Sequence, residues 1–78
     1  MNELTLEDVK EIARKDFSSY PLKRILEILD DYGRNASEKE MVRVYIAILK
    51  LSRYDINDLK YYVALAKRDY KQVLFWAE

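Results

Sequence analysis

Glu27, Asp30 and Asp31, followed closely by Gly33 and Asn35, bring three carboxylates and a side-chain amide into one short stretch. Such a set could draw a divalent cation. An EF-hand loop is excluded by spacing: counted from Asp30, the third and fifth positions are Tyr32 and Arg34, and Asn35 stands where glycine is required. Carboxylates at a helix C-terminus oppose the helix dipole, and strain of that kind sometimes marks function. Solvated surface is the favoured reading all the same, and no metal is expected. The four serines (Ser18, Ser19, Ser37 and Ser52) fall where helices should start or end, so capping accounts for most of them. The chain has no histidine and no cysteine. Zinc sites, Cys–His nucleophiles and Ser–His–Asp triads are therefore out of reach. A single glycine also rules out the glycine-rich loops that cradle phosphates. No catalytic residue and no cofactor is nominated. A carboxylate-based enzyme stays the weak reading, because it would need acids from two helices lining one cleft.

Seven tyrosines form the most suggestive surplus. Tyr32, Tyr45 and Tyr62 fall on core-facing positions, with the hydroxyl expected at the rim. Tyr61 does not. Asn57, Lys60, Tyr61, Ala64, Lys67, Arg68 and Lys71 share one outer face of a helix, with Tyr54 and Tyr70 nearby. Aromatics interleaved with Arg and Lys are what stacking on single-stranded DNA or RNA requires. Tyr and Arg are equally the residues that lead at protein–protein hot spots. The plain alternative is a solvated helix face carrying an exposed tyrosine or two. The candidate partner-binding set is Tyr54, Asn57, Lys60, Tyr61, Lys67, Arg68, Tyr70 and Lys71.

The elements that would position these residues are well punctuated. Thr5 followed by Asp8 reads as a capping-box variant, and a first helix over 6–16 faces Leu6, Val9, Ile12 and Ala13 inward. Ser18 or Ser19 is the expected cap of a second helix with Pro21 in its first turn. Its core stripe is Leu22, Ile25, Leu26, Leu29 and Tyr32, and Gly33 is the expected left-handed stop. Ser37 with Glu40 makes a capping box for a third helix. The run 42–46 could be a strand on propensity alone. Arg43, Ala47, Lys50 and Tyr54 recur at helical spacing, however, and leave one narrow outer stripe on an otherwise apolar, central helix. Asp55 with Asp58 starts a fourth helix that buries Ile56, Leu59, Tyr62, Val63 and Ala66. Asp69 is a candidate restart for a short fifth helix bearing Val73, Leu74 and Trp76. Trp76 is expected to close the core, with Phe75 leaning outward. The expectation is an all-α, compact bundle of four to five short helices, one domain over 1–78.

Seventy-eight residues without disulfide or metal must draw stability from packing, and 50% hydrophobic content is adequate for that. Residues 1–40 carry ten acids and seven bases, net −3, while residues 41–78 carry four acids and seven bases, net +3. The overall charge is zero, which argues against a dedicated nucleic-acid binder without excluding a local patch. The imbalance between halves suits solubility and helix–helix steering. No apolar run approaches a membrane span, and the start 1–4 lacks the order of a signal peptide. The absence of cysteine fits a reducing cytoplasm, so a cytoplasmic protein is expected. Apolar excess on the third helix, together with Phe75, makes a homodimer plausible.

The segments 14–17 (RKDF), 27–33 (EILDDYG) and 47–52 (AILKLS), and above all the closing run 66–78 (AKRDYKQVLFWAE), resemble a family of short bacterial helical proteins. The likeness covers the chain from about Asp16 to its end. It implies a bacterial host and a small size, and no activity. Two positions depart from the pattern: Tyr54 stands where it has Gly, and Gln72 where it has Asp. A tyrosine in a left-handed cap costs about 1 kcal/mol, so a differently shaped turn is expected there. The expected role is a small protein-interaction module, with nucleic-acid binding by the same face as the alternative.

Overall fold

The computed structural model describes residues 5–33, 38–53 and 55–77. Four helices follow one another: α1 (Leu6–Asp16), α2 (Leu22–Gly33), α3 (Glu38–Ser52) and α4 (Ile56–Ala77). The starts of α1, α2 and α4 have local causes. The Asp8 carboxylate accepts the Thr5 backbone N–H at 2.7 Å and lies 3.2 Å from the Thr5 hydroxyl, so an otherwise orphaned donor is satisfied. The Asp55 carboxylate accepts the N–H groups of Asn57 at 2.8 Å and Asp58 at 3.4 Å, capping α4. Pro21 differs from expectation. It sits just ahead of α2 rather than inside it, and its carbonyl accepts from Arg24 and Ile25. Ser18 and Ser19 belong to the preceding turn. The expected capping box at Ser37 lies outside the described residues.

The layers are set by α3. Val42 and the unbroken run Val44–Leu49 are buried, and α3 packs against α4, α1 and α2. Its outward residues are Arg43 and Lys50, while Ala47 is buried, because a small side chain there admits a neighbouring helix. The outer stripe is thus narrower than its spacing implied. Val9, Ala13, Phe17, Ile25, Leu29, Leu59, Val63, Ala66 and Val73 complete the core. Phe17, absent from the expected inward set although it continues the Val9–Ala13 stripe by one more turn, closes the core from just past α1. The Cα radius of gyration is 11.2 Å, close to the roughly 11.5 Å that compact packing gives a chain of this length.

Two chain-path details differ from expectation. Gly33 is not left-handed. Its lack of a side chain makes room for Tyr45: a Cβ there would lie 2.9 Å from the Tyr45 ring carbon that bears the hydroxyl, and would collide with the hydroxyl itself. The left-handed residue is Arg53 (φ 45°), which closes α3 before Asp55 N–H donates to the Ser52 carbonyl at 3.0 Å. Tyr54 lies outside the described residues. The expected restart at Asp69 is present: its φ −157° and ψ 86° are not helical, and two helical segments meet there across a kink within the span of α4. The inward positions Leu59, Val63, Ala66, Tyr70, Val73 and Ala77 keep helical spacing across the bend. Trp76 falls beside that stripe and is 48% exposed, so Val73, not Trp76, closes the core at this end. Phe75 points outward at 75% exposure.

Candidate functional site

Leu59, Val63 and Ala66 fasten the first part of α4 to the core, which obliges the opposite side to face water. On that side Asn57, Lys60, Tyr61, Ala64, Lys67 and Arg68 are all exposed, and Lys71 is exposed beyond the bend. Tyr61 is 58% exposed, with its ring edge-on to Tyr62 at a centroid distance of 5.1 Å and 78° between planes. Tyr62 is itself half-buried, so Tyr61 stands on a fixed aromatic base rather than swinging free. Of the candidate residues, Tyr54 lies outside the described part. Tyr70 departs from the face: it is half-buried and turns toward α3.

Tyr70 instead belongs to a cleft of about 310 Å³ at the bend of α4. Asp31 and Tyr32 from the end of α2, Glu40 from the first turns of α3, and Ala66, Lys67, Arg68 and Tyr70 from α4 line it. Three of the eight sequence candidates (Lys67, Arg68 and Tyr70) meet here. The Lys67 Nζ donates to the Asp31 carboxylate at 3.2 Å, with both side chains about half exposed. An exposed pair of this kind is worth at most about 1 kcal/mol and exchanges readily. The Tyr70 hydroxyl donates to Glu40, and that bond, ahead of the Glu40 charge, raises its pKa, while nearby Arg43 works the other way. Tyr32 is pushed up to about 12, first by burial and then by the charge of Glu40. Arg68 has no carboxylate partner among the described residues.

The acids of α2 therefore have employment that the sequence did not display. Asp30 accepts the Tyr45 hydroxyl at 2.9 Å, so the deeply buried Tyr45 reaches the rim with its polar end as its position suggested. Burial, then the Asp30 hydrogen bond and charge, drive the Tyr45 pKa up. Asp31 holds Lys67. Among the described residues no three metal-ligating side chains gather, and no helix is long and apolar enough to cross a membrane. Ser52 is fully buried, its hydroxyl donating 2.6 Å to the Ile48 carbonyl. Asp31, Tyr32 and Glu40 were absent from the candidate set, since nothing local in sequence brings the end of α2 to the middle of α4. The one available signal was the opposed charge of the two halves, which the Asp31–Lys67 pair realises in miniature. No family model, curated protein or solved structure matches the chain.

Proposed function

We propose that the chain is a small protein-interaction module that presents the outer face of α4 to another protein, within the cytoplasm, and acts by binding rather than catalysis. The observation that carries this reading is Tyr61: 58% exposed, edge-on to Tyr62, and set among Lys60, Lys67 and Arg68 on a helix anchored from behind by Leu59, Val63 and Ala66. Aromatic and guanidinium groups held on a rigid element are the usual energetic centre of a protein interface, because little conformational entropy is lost on docking. The cleft does bring together acids from two helices, Asp31 and Glu40, as a carboxylate enzyme would need; Asp31 is engaged with Lys67 and Glu40 with the Tyr70 hydroxyl, and those engagements favour binding over proton transfer. Self-pairing through this face would set like charges against each other. The apolar surface of α3 that suggested a homodimer is taken up in the core, leaving Phe75 and Trp76 as its remaining argument.

The test is affinity capture from bacterial lysate, with and without nuclease, comparing the native chain with the Tyr61→Ala/Arg68→Ala double variant. A protein recovered in both nuclease conditions and lost with the variant, at unchanged thermal unfolding, is the expected result; equal recovery by the variant ends the reading. Nucleic-acid binding by the same face is the second reading, favoured by the alternation of Tyr61 with Lys60, Lys67 and Arg68. It requires affinity that falls steeply with salt, and a nuclease-sensitive capture would move the assignment there.

A further inference from the structure

We infer that the cleft at the Asp69 bend takes the carboxylate side chain of an acidic segment on the partner protein, with Arg68 as its clamp. This inference rests on the reading of α4 as a protein-docking face and adds the chemistry of what docks. Three observations converge on it. Arg68 lines the cleft and is the cation there that has no carboxylate partner among the described residues, whereas Lys67 is held by Asp31. A guanidinium offers two parallel N–H donors that match a carboxylate in one plane. The size admits it: about 310 Å³ lies at the small end of ligand pockets and has room for a carboxylate side chain with its stem. Ala66 and the rings of Tyr32 and Tyr70 supply apolar wall for the methylene groups of a glutamate.

The wall also selects among anions. Asp31 and Glu40 flank the cleft, so a phosphate chain would carry successive charges past two carboxylates. A protein segment carries one carboxylate to Arg68 and can offer a lysine to Asp31 or Glu40. Because the Asp31–Lys67 pair is exposed, it can open at small cost and share its partners with the incoming segment. A wall of both signs is complementary to a mixed-charge peptide and ill-suited to a polyanion.

The experiment is an amide-resonance titration of the full chain with three probes: a synthetic helical glutamate peptide in which glutamates alternate with lysines along one face, its twin with glutamine at the glutamate positions, and an oligothymidine. The glutamate peptide is expected to shift resonances of 31–32 and 66–70, and the glutamine twin to bind at least about tenfold more weakly. Arg68→Ala is expected to lose about tenfold in affinity for the glutamate peptide. Arg53→Ala, which removes the same charge from an exposed site at the end of α3, is expected to stay within about twofold. Equal losses from the two variants would mean general electrostatics and overturn the clamp. Shifts confined to 57–61 would overturn the cleft assignment while leaving the docking face standing. An oligothymidine that shifts the cleft residues more strongly than the peptide overturns the inference in favour of nucleic acid. The absence of any shift overturns it as well, and does not touch the docking face, which is tested by capture with the Tyr61 variant.

Discussion

In α3, nine of 15 residues are apolar or aromatic, and in α4 the figure is 14 of 22, so composition hardly separates the two helices. Their surroundings do. Helix α3 has α1, α2 and α4 around it and buries every residue from Val44 to Leu49. Helix α4 is covered from one side only, and along the uncovered side its aromatics alternate with lysine and arginine. An apolar residue on α3 is accounted for by the core, whereas Tyr61 and Phe75 on α4 are not. The contrast separates side chains that hold the fold from those left for a partner, and it can be put to measurement.

The largest effect is expected in α3. Ile48→Ala and Leu49→Ala each remove a fully buried side chain and should each cost about 3 kcal/mol of unfolding free energy. Tyr61→Ala should change it by no more than about 0.5 kcal/mol. Urea denaturation of the three variants reads both numbers. A loss above about 1 kcal/mol at Tyr61 would show that its edge-on contact with Tyr62 holds the fold, and the distinction between the two helices would fail at its central residue.

Next comes Gly33→Ala, where helix propensity and packing predict opposite signs. Alanine is the better helix former by about 1 kcal/mol. The added Cβ, however, meets the Tyr45 hydroxyl, and Tyr45 is 1% exposed and bonded to Asp30, so it has nowhere to retreat. A net loss of about 2 kcal/mol is expected from such overpacking. Adding Tyr45→Phe removes the obstructing oxygen and should recover part of it. A stabilised Gly33→Ala variant would mean that Tyr45 is looser than the rest of the α3 core.

These two sites also mark how far the sequence could be read. The helix order, the bounds of the first helix, the central place of the third and Asp69 as a restart point were legible, because they follow from capping residues and the period of apolar positions. Gly33 was legible as a helix end but not as a space-saving residue, since its reason sits twelve positions away on Tyr45. The outward stripe Asn57–Arg68 was legible for the same periodic reason. The cleft was not. Asp31, Tyr32 and Glu40 reach it through the packing of α2 and α3 on α4, and residues so separated carry no local pattern that joins them. Trp76 misled, because size and hydrophobicity suggested burial where the helix phase assigned that place to Val73.

Alkaline titration probes the buried side of the comparison, where Tyr32 of α2 and Tyr45 of α3 lie edge-to-face at 6.4 Å. Burial raises the pKa of both, Tyr32 from 10 to about 12. The folded chain therefore holds these protons more tightly than the unfolded chain does. That stabilisation is complete below about pH 10 and is lost as pH rises through the folded value near 12. Thermal unfolding followed from pH 8 to 12 should show a steeper decline for the native chain than for Tyr32→Phe. Parallel declines would mean that the phenol of Tyr32 is as wet in the folded state as in the unfolded one.

The smallest effect is expected at Arg53, the hinge between α3 and α4. Its φ of 45° lies in the left-handed region, where Cβ crowds the following carbonyl oxygen and a non-glycine residue is strained by about 1 kcal/mol. Arg53 is exposed, so little packing is lost with its side chain. Glycine adopts the conformation without the clash, although it also gives the unfolded chain more freedom to lose. The two terms leave Arg53→Gly stabilising by up to about 1 kcal/mol in urea denaturation. A destabilised variant would place Arg53 among the residues that hold α4 to α3, and the turn would belong to the buried side of the comparison instead of the free one.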